Sequence, residues 1–389
     1  MILSNFRLII IIFILIGAVT ISYMKTSLLN EVELVSGIGI DKVDDQYAIT
    51  LQIFNPAANN KNAVDQTGGF TYTQTGKTIP QSIQKIKKIT LKEPILDTLQ
   101  VVILSEDLVK EEGLNAPLDY FVRDPRVPAN INTIIIKGES PEVFLKMFTP
   151  QQKLSSLYTN TMLLNAKKTW GNLVNTSSER IYSFLTDKTS DITIPYVEIQ
   201  GNVKEGMSKS NIEKFAPVAK VSLKGLASFK GDKLHSYLSL EETNTLALVK
   251  GINQVVSIST KCPNSAGEFT IETIRTSASL KSRVSPVSYL LNIKIDGNLE
   301  EIACNENLSS PSTQEEFEKQ LERQIKSEVE ALFKMAKDNG TDILGLKDTL
   351  YRQHPNVWKA VQDKEDLFST VDLKTRVDVN FIRFGHTKH

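Results

Sequence analysis

The stretch Leu34-Val35-Ser36-Gly37-Ile38-Gly39-Ile40-Asp41-Lys42-Val43-Asp44-Asp45-Gln46-Tyr47-Ala48-Ile49-Thr50-Leu51-Gln52-Ile53 reads as strand, turn, strand. Tyr47, Ile49, Leu51 and Ile53 alternate with Ala48, Thr50 and Gln52, the period of a strand, and Asn55-Pro56 ends the run. Outward from it the elements are mixed. Ala57 to Gln66 is polar and reads as a loop, and Phe70 to Thr75 is a further short strand. Ile79, Ile83 and Ile86 have helical spacing, and Leu99 to Leu104 is a strand of buried type. Ser105 caps a helix that Gly113 closes. Arg123-Asp124-Pro125 is a turn, Asn130 to Lys137 a strand, and Ser140-Pro141-Glu142 a helix start. Leu154 to Leu185 has helical character with weak caps.

The polar stretch Gly201 to Asn211 marks the best boundary, and strands dominate after it. Lys230-Gly231-Asp232-Lys233 is a hairpin turn. Val255 to Lys261, Phe269 to Leu280 and Tyr289 to Ile295 read as a meander. One long helix interrupts them. Thr313 and Glu316 have capping-box spacing, Phe317, Leu321, Ile325, Val329, Leu332 and Ala336 form an apolar stripe, and Gly340 stops it. Val371 to Phe381 is an amphipathic final strand. The expected fold is α+β, a multi-domain mixed α/β chain with antiparallel sheets and the long helix packed on the C-terminal sheet.

The 389 residues are enough for two or three domains, and 45 basic side chains balance 45 acidic ones. That balance argues against nucleic acid as a partner. The N-terminus stands apart. Leu8 to Met24 is uncharged and opens on a nine-residue apolar run, with Arg7 before it and Lys25 after. As a helix it would be roughly 26 Å long, close to the hydrocarbon thickness of a bilayer. Thr20-Ile21-Ser22 is a poor signal-peptidase site, so an uncleaved membrane anchor with the bulk of the chain outside the cytoplasm is expected. The expected division is an anchor over 1–24, a mixed α/β region over 25–205, divisible at 145/146, and an α+β domain over 206–389.

Residues that carry chemistry are few. Gly76-Lys77-Thr78 imitates the tail of a phosphate-binding loop, but Thr71 stands where that loop needs glycine. Gly37-Ile38-Gly39 lacks a third glycine and reads as close backbone packing. His235, His354, His386 and His389 have no metal-ligand spacing and read as surface residues. No catalytic, cofactor or metal residue is assigned. Cys262 and Cys304 follow the first and third meander strands, which puts them at one end of the sheet. A disulfide, two free thiols and a metal pair stay open.

Several segments, in order, resemble the Ger(x)C family, the C subunits of bacterial spore germinant receptors. They are Leu34 to Lys42, Gly76-Lys77-Thr78-Ile79, Phe121-Val122-Arg123-Asp124-Pro125, Phe229-Lys230-Gly231-Asp232-Lys233-Leu234 and Asp342-Ile343-Leu344-Gly345-Leu346, then Trp358, the last strand and Gly385. The resemblance implies a non-enzymatic subunit at the spore inner membrane, with a multi-spanning A-type and a transporter-like B-type subunit as partners. No cofactor is expected, and whether this chain or an A-type or B-type partner binds the nutrient stays open. In one place the sequence departs from the family. Members carry a lipid-modified cysteine about a dozen residues before the Ser-Gly-Ile-Gly-Ile-Asp stretch, and Tyr23 occupies that position here. Tyrosine has no thiol to accept the lipid, so the uncleaved apolar segment is expected to do the anchoring. The second reading is a membrane-tethered solute-binding or sensor protein.

Overall fold

Val32–Val43 (β1) and Gln46–Phe54 (β2) form a hairpin. Asp44 and Asp45 both sit at positive φ, the two-residue turn whose twist matches paired strands. The computed structural model describes residues 31–59, 67–186, 191–253, 255–306, 310–362 and 370–383. The expected anchor, Tyr23, His386, His389, Gly385 and part of the 57–66 loop lie outside them. Among the described residues, no helix is long and apolar enough to cross a membrane.

The hairpin lies toward one edge of a nine-stranded sheet. Gly69–Gly76 (β3) adds to β2, while Glu93–Ile95 (β4) and Val101–Ser105 (β5) run parallel to β1. Asn132–Ile136 (β6) and Thr193–Gly201 (β7) continue the parallel set, and Ala219–Lys230 (β8) and Lys233–Leu238 (β9) close it in antiparallel fashion. The strands at the centre are apolar on both sides because both sides are covered. Val101, Ile103, Ile134 and Ile136 pack in one core with Phe144 and Leu145. Val102, Leu104 and Ile135 face the other core with Ile83, Ile86 and Phe121. Helices α1 (Ile79–Lys87), α2 (Glu106–Glu111) and α3 (Asn115–Arg123) serve the second face, and α4 (Pro141–Leu145) and α5 (Ser155–Trp170) the first.

The helical run over Leu154 to Leu185 is broken. After α5 the chain makes a short 3-10 turn, Gly171–Val174, and resumes as α6, Ser178–Thr186. Gly171 has φ +49°, and a Cβ there would lie 2.8 Å from Ile252 Cγ2, so close packing and backbone geometry both stop the helix. Past a short turn of helix, α7 (Val203–Gly206), the chain enters β8. The expected boundary at 205/206 falls between β7 and β8, which pair from Thr193↔Ser228 to Gly201↔Ala219. The first sheet is therefore continuous across it. Ala227 and Phe229 of β8 belong to the N-terminal core, while Leu226 of β8 and Leu238 of β9 point into the C-terminal one.

Leu240–Val249 (α8) is a helix the pattern reading passed over, although Ser239 and Glu242 form a complete capping box. Ser257–Lys261 (β10), Glu268–Val284 (β11) and Val287–Ile302 (β12) form the antiparallel meander. Pro311–Asn339 (α9) then crosses it and buries the expected stripe. The Phe317 and Phe269 rings are 4.6 Å apart. The helix begins at Ser310 with Pro311 in its first turn, not at Thr313; proline's fixed φ suits that position. Glu316 accepts from Asn264 Nδ2 at 2.6 Å instead of closing a box.

After Leu346–Gln353 (α10) and Pro355–Val361 (α11), Asp372–Arg383 (β13) pairs with β12 in parallel. The sheets are thus mixed, not simply antiparallel. A helical connection carries the chain back along the sheet before the last strand is laid, which yields parallel pairing. Val379 N and Phe381 N donate to Glu322 and Glu318 of α9 at 3.1 and 2.9 Å, so the helix covers that edge.

Candidate interaction site

Parallel strands collect their loops at the carboxyl ends, where polar groups are free of core packing. Here that edge gathers side chains from β1, β2, β5, β7, β9 and α2 and from the residues that directly follow β6 and α2. Asp41 Oδ1 accepts from Ser105 Oγ at 2.5 Å and from Lys42 N at 2.8 Å. The Lys42 ammonium pairs with Glu112, and Tyr47 Oη donates to Glu112 Oε2 at 2.8 Å. Burial first and the Glu112 carboxylate second push Tyr47 up to about 12. The bond from Lys42 holds Glu112 below the usual carboxylate range against the opposing effect of burial.

A second group lies beside it. Tyr196 of β7 and Tyr237 of β9 have ring centroids 4.5 Å apart. The Lys137 ammonium sits 4.6 Å from the Tyr237 centroid and 5.5 Å from that of Tyr196, with Glu198 Oε1 at 3.1 Å. Glu106 holds Gly138 N at 3.2 Å and pairs with Lys110. Burial, then the nearby Glu106 charge, raises Tyr237; its hydroxyl stands near that carboxylate yet makes no well-formed hydrogen bond among the described residues. The edge therefore presents cations and carboxylates at fixed positions, with Lys137 held over the buried Tyr196 ring and the partly buried Tyr237 ring, an arrangement suited to ionic contacts with a partner. No local pattern marked this group, because its residues come from separate strands.

The motifs singled out in the sequence have structural work. Thr78 Oγ1 accepts from Gln81 N at 3.3 Å and caps α1, and Lys77 N donates to Gln81 Oε1 at 2.7 Å. A Cβ on Gly37 would fall 2.6 Å from Ser156 Cβ, and one on Gly39 2.7 Å from Pro141 Cβ, so both glycines let helices sit against β1. His235 is exposed, and His354 Nε2 lies 3.3 Å from Ser282 O. Cys262 and Cys304 are joined as a disulfide, with Cα atoms 5.7 Å apart, at the end of the meander where Ala303 N donates to Glu268 O.

The Asp342-Ile343-Leu344-Gly345-Leu346 segment fastens the two cores together. Asp342 accepts from Gly345 N and Leu346 N at 2.9 Å and from Lys347 N at 2.7 Å, and its own N–H donates to Asp191 Oδ2 at 2.5 Å. Burial raises Asp342 against the pull of those amides and of Lys250. Lys250 lines a cleft of about 240 Å³ with Arg180, Asp191 and Ile343. Protein surrounds its ammonium, yet the residue still meets solvent through the cleft, and burial lowers it.

Comparison with known proteins agrees with this architecture. Residues 25–199 match the family model for the spore germination protein N-terminal domain, and residues 224–385 match the spore germination B3/GerAC-like C-terminal model. Spore germination protein KC of Bacillus subtilis (strain 168) is 25% identical over 350 residues, covering 87% of this chain and 85% of that one. Spore germination protein B3 of the same strain is 26% identical over 375 residues, 92% of each chain. The crystal structure of the GerBC protein superposes with a TM-score of 0.57 at 21% identity, covering 89% of this chain and 97% of that one, and so shares the fold. The chain belongs to the spore germination B3/GerAC family, the C-subunit family of germinant receptors.

Proposed function

We propose that this chain is a non-enzymatic subunit that assembles with integral-membrane A-type and B-type partners into a nutrient receptor of the spore. The observation that carries this is the match of both halves to the two germination-family models, together spanning nearly all of the described residues. In this reading Leu8 to Met24 anchors the chain in the spore inner membrane, in place of a lipid that Tyr23 cannot accept, and the described residues lie outside the cytoplasm. The carboxyl edge with Lys137, seated over Tyr196 and Tyr237, and with Lys42 and Glu112 is the surface offered to the partners.

The test is to delete the gene from the spore former that carries it and restore it as wild type or as Lys137→Glu. Wild type should restore germination with at least one nutrient and should co-purify with multi-spanning proteins. Lys137→Glu should fold normally, since the side chain is only half-buried, and should lose co-purification. A deletion strain that germinates normally with every nutrient, in a background without related genes, overturns the reading.

A further inference from the structure

The end of the sheet opposite the carboxyl edge carries a second surface with a different character. β1 enters the fold at Val32, paired in parallel with Glu93 at the start of β4, so the loop Lys88-Ile89-Thr90-Leu91-Lys92 lies beside Glu31. In the preceding helix α1, Ile79, Ile83 and Ile86 are buried. The loop reverses that pattern: Ile89 is 50% exposed and Leu91 93%. Lys88 and Lys92 flank them, exposed and without an ion pair among the described residues, while Lys87 is held by Glu93.

Among the described residues nothing packs over Leu91, which is 93% exposed, and its position supplies an explanation outside the fold. Only the six residues from Lys25 to Asn30 separate the apolar run Leu8–Met24 from Glu31. At about 3.3–3.6 Å per residue they span at most roughly 20 Å. The loop is therefore tethered within that distance of the surface that receives the run. An apolar tip flanked by Lys88 and Lys92 is what an anionic bilayer surface accepts, with the side chains at the headgroup level and the lysines among phosphates.

We infer that Ile89 and Leu91 dip into the anionic lipid surface at which the anchor emerges, with Lys88 and Lys92 contacting its headgroups. This contact would hold the carboxyl edge, at the far end of β1, about 40 Å away from the bilayer. The inference rests on the anchor reading above.

Phe215 is an internal control. It is fully exposed, in the connection between β7 and β8, and so belongs to the carboxyl edge. The experiment uses the full chain reconstituted in vesicles of phosphatidylglycerol and brominated phosphatidylcholine, floated to isolate bound protein. Leu91→Trp, Ile89→Trp and Phe215→Trp are compared, with the emission of buried Trp170 and Trp358 subtracted using the unsubstituted chain. The emission added at positions 91 and 89 should shift to the blue and be quenched by bromine. That added at 215 should be neither. Lys88→Glu with Lys92→Glu should diminish the quenching at 91.

A floated chain in which position 91 is as unquenched as 215, or in which 215 is the quenched one, overturns the lipid contact while the anchor stands. Quenching at 91 that is indifferent to the lysine reversals overturns the headgroup part of the inference. A chain that fails to float removes the anchor and the inference together.

Discussion

Asn115 Nδ2 donates to Asp232 Oδ2 at 2.8 Å across 117 residues of sequence. Leu114 N donates to Asp232 O at the same distance, so the β8–β9 turn caps the start of α3. Gly113 makes room for it: a Cβ there would lie 2.5 Å from Asp232 Oδ2, and its φ is +90°. Asp232→Ala should cost about 1 kcal/mol, the value of a partly exposed polar bond. Gly113→Ala should cost about 1–3 kcal/mol, since it adds backbone strain to the same clash. Urea denaturation of both variants checks this, and wild-type midpoints for both would refute the cap.

That contact shows how far the sequence could be read. The Lys230-Gly231-Asp232-Lys233 turn was legible, because two-residue hairpins have a local chemistry. Its capping of α3 was not, because nothing local links residue 232 to residue 115. The stripe from Phe317 to Ala336 predicted the buried face of α9 correctly, since a helix repeats its environment every turn. The parallel pairing of β13 escaped the pattern, which reports which way side chains face and not which way the neighbouring strand runs. The Lys137, Tyr196 and Tyr237 group was invisible for the same reason: three ordinary residues become a site only through sheet order.

Asp124 gives the fold a defined acid sensitivity. Arg126 donates to its two oxygens at 2.9 and 2.7 Å and Tyr120 Oη at 3.1 Å, and this draws the carboxyl down to about 2 against the effect of burial. In the unfolded chain the group titrates near its ordinary 3.8. The folded state is the weaker proton binder, so this stabilisation is complete above the unfolded value and is lost as pH falls toward the folded one. Urea midpoints of wild type should fall between about pH 4 and about pH 2 more steeply than those of Asp124→Asn. Parallel pH profiles for the two proteins would show that Asp124 is not so coupled.

Cys262 and Cys304 close a loop over a separation of 42 residues that contains the whole of β11 and β12. Such a loop, opened in the unfolded chain, corresponds to about 4 kcal/mol in the chain-entropy account. The same end of the sheet has other ties. Asn264 N and Ser265 Oγ donate to Glu306 Oε1 at 3.1 and 2.9 Å, and Asn264 Nδ2 reaches Glu316 on α9. Those bonds do not involve sulfur, so the reduced protein should keep its fold and lose stability. Alkylation and intact mass with and without reductant should show no free thiol in the native chain and two after reduction. Cys262→Ser with Cys304→Ser should then lower the unfolding free energy by about 4 kcal/mol with near-native circular dichroism. A double variant as stable as wild type would mean that the hydrogen bonds at this end, and not the covalent link, hold β10 and β12 in place.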